Sequence, residues 1–169
     1  MLPYWINSSS NDLIKRILVK GDKEIKLDLE RLIEGEIEIF SGVFKEFVID
    51  NLSYFDVSGK EPERVYHAFV LGMLISLSDN YEVKSNKESG YGRYDVMLIP
   101  KYISKIGIVM EFKKIYDFVK TTIEEGTILA LKQIEDMKYS NELNARGVNK
   151  IIKLGIVFKG KEINVEAAV

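Results

Sequence analysis

One strand-length segment sets the terms for this chain: Gly107-Ile-Val-Met-Glu-Phe-Lys113. Its apolar start reads as a strand that lies centrally in a sheet, covered on both faces. Its last three residues put Glu111 and Lys113 on one face and Phe112 on the other, because side chains two apart in a strand point the same way. A glutamate and a lysine at the end of a central strand are charges carried toward the interior. Such burial is costly unless the charge is paired or bound to a metal.

The neighbouring segments predict the elements around that strand. Glu63 to Ser78 is apolar almost all round, which marks a helix buried on most sides. Tyr81 to Asn86 and Tyr94 to Ile99 read as strands, the second stopped by Pro100, with a glycine-permitted turn over Glu88 to Arg93 between them. Thr122 to Leu143, rich in Glu, Leu, Ala, Lys and Gln, predicts one long helix. Ile151 to Phe158 and Ile163 to Val165 read as strands joined by a turn at Gly160-Lys161. Upstream, helices are expected over Leu13 to Val19, Asp28 to Ile33 (ending near Gly35) and Val43 to Leu52. The order helix, three strands, helix, two strands predicts an α/β (α+β) domain.

Within that frame Asp95 falls on the strand that would run beside Glu111. Two carboxylates and a backbone carbonyl are hard oxygen donors of the kind that suit Mg²⁺ or Mn²⁺. A lysine beside them can orient or deprotonate a water, or steady charge on a phosphate. The other reading is a surface salt bridge among Asp95, Glu111 and Lys113. Composition narrows the chemistry further. With no cysteine and a single histidine, His67, thiol nucleophiles, disulfides, zinc ribbons, iron–sulfur clusters and His-rich metal sites are excluded. Residues 84–161 carry 15 Lys+Arg against 9 Asp+Glu, while residues 1–83 carry 9 against 15. The basic second half suits a polyanionic partner, although scattered solubilising lysines would give the same count.

Gly90-Tyr-Gly-Arg-Tyr-Asp95, Ile108-Val-Met-Glu-Phe-Lys113 and Gln133 on a following helix come in the motif order of PD-(D/E)XK nucleases of the RecB-like kind. The chain further resembles the nuclease domain at the C-terminus of bacterial proteins that begin with an AAA-ATPase-like domain. Tyr54 to Glu63, Tyr66 to Phe69, Lys84 to Pro100, Ala130 to Gln133 and Ile152 to Lys161 carry that likeness, over roughly residues 43 to 166. The resemblance implies a restriction-endonuclease-like αβββαβ core, a mixed sheet flanked by helices. It implies a Mg²⁺- or Mn²⁺-dependent nuclease acting on nucleic acid, with DNA expected, and is compatible with a homodimer. Asp95 and Glu111 would be metal ligands, Lys113 the catalytic lysine, and Glu63 an acidic residue reaching the metal through water. Gln133 would support the site. Arg93 would contact a phosphate or stand in solvent at a turn. His67 would line the site or be a hydrogen-bonded core histidine. Tyr94 replaces the proline of the superfamily's name. A tyrosine often follows the glutamine by four residues; here Met137 stands there and Tyr139 comes later. On a continuous helix at about 100° per residue, Tyr139 would sit well off the face of Gln133.

Residues 1–40 read as a short helical segment and 41–169 as the nuclease-like domain. Pro3 to Ile14 resembles the tail of the ATPase-like domain in those fusions, so the chain is expected to be a shortened product with a relic at its front. Gly155-Ile-Val-Phe-Lys-Gly-Lys161 fits GxxxxGK, yet Glu162 stands where a P-loop needs Ser or Thr, and the segment reads as a β-hairpin. The longest apolar run, Ala68–Ile75, is far short of the roughly 20 residues of a membrane span. The N-terminus lacks signal-peptide character, so a cytoplasmic location is expected. Against the nuclease stands a second function: a nuclease fold that binds nucleic acid or a partner protein without cutting.

Overall fold

The computed structural model describes residues 22–52, 70–85, 88–89, 92–93, 95–160 and 162–169. Five strands form one sheet in the order β1-β4-β5-β6-β7. They are β1 (Tyr81–Ser85), β4 (Val96–Pro100), β5 (Gly107–Ile115), β6 (Ile151–Lys159) and β7 (Glu162–Ala168). β5 lies in the middle, as its apolar start requires. It runs antiparallel to β4, with Val96 opposite Met110, and parallel to β6, with Glu111 opposite Gly155. The other pairs, β1–β4 and β6–β7, are antiparallel. Between β1 and β4, the expected turn is a small two-stranded ladder, β2 (Glu88–Ser89) with β3 (Gly92–Arg93). Pro100 closes β4 as its last residue, paired with Tyr81, where a stop just before it was expected.

The period of two along each strand divides the interior. Val96, Leu98, Ile108, Met110 and Phe112 face one core. There they meet α1 (Asp22–Glu34), α2 (Ile37–Leu52) and residues 70–74, a helical stretch ending in a 3₁₀ turn at Ile75–Leu77. Val70, Leu71, Met73 and Leu74 are buried, in line with the all-round apolar pattern; the first part of the expected 63–78 helix lies outside the described residues, as does the one over 13–19. Both α1 and α2 begin earlier in the chain than expected. Leu29 and Leu32 of α1 share the buried cluster of the sheet.

On the opposite face, Met97, Ile99 and Val109 meet α4 (Ile123–Asp136) and α5 (Asn141–Ala145); α3 denotes residues 70–74. α4 begins with a capping box: Thr122 accepts from the Glu125 amide, and the Glu125 carboxylate accepts from the Thr122 amide. The long helix expected over Thr122 to Leu143 is broken. Lys138 takes φ 53°, its amide bonds the Glu135 carbonyl, and the Tyr139 amide bonds the Ile134 carbonyl. Those paired bonds are a Schellman termination, in which a left-handed residue ends the helix. Glycine usually fills that position; here a lysine does, so the sequence carries no stop signal.

The GxxxxGK segment is the β6–β7 hairpin: Gly160 turns with φ 58° between the two strands, and a strand follows where a P-loop needs a helix. No helix among the described residues is long and apolar enough to cross a membrane.

Candidate active site

The strand parity read from sequence holds. Phe112 enters the core under α1 and α2, while Glu111 and Lys113 share the face of Val109 and Ile115 and look toward α4. Glu111 is 5% exposed and Lys113 half-buried.

Gln133, near the end of α4, ties these two together. Its amide Nε2 donates to Glu111 Oε1 at 2.5 Å, and its Oε1 accepts from Lys113 Nζ at 2.8 Å. An amide suits this place because it offers a donor to a carboxylate and an acceptor to an ammonium from one planar group. Lys113 forms no salt bridge with Glu111 or Asp95 among the described residues. The ion-pair reading of the three charges therefore does not describe the lysine, which is held by the glutamine.

Asp95 sits one step beyond the β4–β5 ladder, where continuing the register places it opposite Glu111. Its Oδ2 accepts from the Phe112 amide at 2.8 Å. The carboxylate thus takes over a strand N–H just past the end of the ladder, which fixes the side chain beside β5. Two carboxylates on adjacent strands, one buried and one half-buried, make a donor set of hard oxygens. Oxygens of this kind could hold a hard divalent cation. Among the described residues no group of three or more His, Asp or Glu side chains gathers, at this site or elsewhere.

Tyr139 corrects the expectation from helical geometry. The Schellman termination turns the chain back, so Tyr139 is buried at 1% exposure with its hydroxyl 3.4 Å from Gln133 Nε2. The hydroxyl lies where the second amide hydrogen of Gln133 can point. Only the conformation of Lys138 brings this about, and nothing in the sequence marks it.

Gly155 was also not singled out for the site. It lies opposite Glu111 on β6, and α4 crosses it closely: a Cβ there would stand 3.0 Å from the Thr127 carbonyl and 3.2 Å from Ala130 Cβ. A bare backbone at this position lets α4 approach near enough for Gln133 to reach β5.

Glu63 and His67 lie outside the described residues. Arg93 has its backbone in β3, and its side chain lies outside the description as well.

A mixed five-stranded sheet with helices on both faces, with an Asp just before β4 and a Glu-x-Lys on β5, is consistent with a restriction-endonuclease-like fold. The family model of the PD-(D/E)XK nuclease superfamily matches residues 61–168, and the chain belongs to that superfamily. Members are typically nucleases and generally use divalent metal ions. A search of curated proteins finds no match.

Proposed function

We propose that this protein hydrolyses phosphodiester bonds of DNA with Mg²⁺ or Mn²⁺. The observation that supports it most is the Lys113–Gln133–Glu111 hydrogen-bonded chain beside Asp95. Asp95 and Glu111 would hold the cation, with Glu63 as a further carboxylate. A bound divalent cation supplies an acidified water and offsets charge on the phosphate. Lys113 has no lone pair for a cation when protonated, so its ammonium is available to orient the attacking water or neutralise a phosphate oxygen. Gln133 fixes both ends of this pair: it holds the Lys113 ammonium at its carbonyl and one Glu111 oxygen at its amide. Tyr139 backs the glutamine. Arg93 would meet a phosphate, and His67 would line the site.

In this reading the chain is of the RecB-like kind, and residues 1–35 correspond to the end of an ATPase-like domain. The test is incubation of pure protein with plasmid and linear DNA in Mg²⁺, Mn²⁺ or EDTA. Cleavage in either metal that EDTA abolishes is the expected result. Binding without any cleavage would favour a silent nuclease-fold module instead.

A further inference from the structure

Phe118 is 85% exposed, the most exposed aromatic residue among those described. It does not stand alone. Tyr116, 43% exposed, stacks on it with ring centroids 5.4 Å apart and planes inclined by 22°. Lys114 places its ammonium 5.9 Å from the Tyr116 ring centroid. Single exposed apolar residues are ordinary on a protein surface. A stacked aromatic pair with a cation over one ring is different: it is a flat π-surface kept in water and shaped by its own contacts.

Its position is informative. The pair lies just past the end of β5, the strand that carries Glu111 and Lys113. Lys113 and Phe118 are five residues apart in sequence. Even a fully extended chain would separate them by no more than about 18 Å. That is the rise of about five nucleotides of a strand, so one nucleic-acid molecule can meet both. From Lys113 to Lys120 the segment carries three lysines and one aspartate. Asp117 lines a cleft with Glu124, Glu162 and one lysine, Lys159, and three carboxylates against one ammonium disfavour a phosphate there. The rings are therefore suited to bases, with phosphates following the lysines.

We propose that Tyr116 and Phe118 stack on unpaired bases of the substrate strand, so that single-stranded or frayed nucleic acid is bound in preference to closed duplex. Bases within a duplex have their faces covered by neighbours, whereas unpaired ones offer them to aromatic side chains. The inference rests on the nuclease reading and specifies its substrate class.

The test is fluorescence anisotropy with a labelled oligo(dT) strand and a blunt hairpin duplex, in Ca²⁺ so that no cutting intervenes. Wild type is compared with Tyr116→Ala, Phe118→Ala and Phe118→Trp. Both rings are surface groups, and unchanged melting temperatures will verify that the variants fold. Each alanine variant is expected to bind the single strand about tenfold more weakly, with hairpin binding unchanged. Phe118→Trp should keep the affinity. Single-strand binding within about twofold of wild type in both alanine variants overturns the inference and leaves the rings to another partner, such as a protein. Equal losses on both ligands overturn the preference for unpaired bases. Alanine variants that cut DNA in Mg²⁺ and bind the single strand as wild type does sink this inference alone. Wild type that neither binds nor cuts any nucleic acid sinks the nuclease reading and this inference with it.

Discussion

Replacing Asp28 by asparagine should stabilise the protein at neutral and alkaline pH. Asp28 lies on α1 beside Leu29, is 4% exposed, and its Oδ1 has no hydrogen-bond partner among the described residues. Burial pushes its carboxyl from the ordinary 3.8 up to about 7, because loss of water penalises the charged form. Between those two values the folded protein keeps a proton that the unfolded chain has released. Stability from this group is thus complete below about pH 4, declines as pH rises toward 7, and levels off once both states are ionised. A displacement of about three pH units corresponds to about 4 kcal/mol at 1.36 kcal/mol per unit. Local opening of α1 caps what can be lost, so we expect a difference of about 2–4 kcal/mol. Urea midpoints of wild type and Asp28→Asn, taken from pH 4 to 9, measure it. The two proteins should be nearly equally stable at pH 4 and diverge as pH rises, the asparagine variant ahead at pH 8. Parallel curves, or a variant that is weaker at pH 8, would show that something pairs with the Asp28 carboxylate and refute the burial argument.

Gly155→Ala should place a Cβ 3.0 Å from the Thr127 carbonyl and shift α4 outward, costing about 1–3 kcal/mol; thermal melts and cleavage rates should fall together, and a variant matching wild type in both would show that α4 does not depend on that approach. Asp95→Ala should remove calorimetric Mn²⁺ binding; unchanged binding would move the metal to other residues. In EDTA, Glu111→Gln should melt higher than wild type, because it removes like-charge repulsion between Glu111 and Asp95, and should gain less from Mn²⁺. A lower melting point with no response to Mn²⁺ in either protein would count against a metal site.

The central strand was legible because a period of two in β5 leaves little choice: once Ile108, Val109 and Met110 are buried, Glu111 and Lys113 must share a face and Phe112 must take the other. Asp95 followed from the same pairing. The hairpin at Gly160 was legible because a Gly-Lys turn separates the apolar run Ile151 to Phe158 from the strand-like segment Ile163 to Val165. What stayed hidden depended on single conformations or on helix packing. Lys138 adopts the left-handed geometry that glycine usually signals, so the break in the helix and the return of Tyr139 toward Gln133 were both invisible. Gly155 reads as an ordinary glycine until α4 is laid across it. Asp28 looks like a solvent-facing helix residue, and only the packing of α1 against the sheet buries it.

The most direct test of the account is cleavage of supercoiled plasmid in Mg²⁺ by Lys113→Ala beside wild type, with Mn²⁺ binding of both measured by calorimetry. The ammonium is held at Gln133 Oε1 rather than on a carboxylate, so its removal should leave metal binding near the wild-type level. Cleavage should fall by about 100-fold or more, the size expected when a group acting on the water or phosphate is lost. A Lys113→Ala protein that binds Mn²⁺ and cuts at the wild-type rate would contradict the role given to this site.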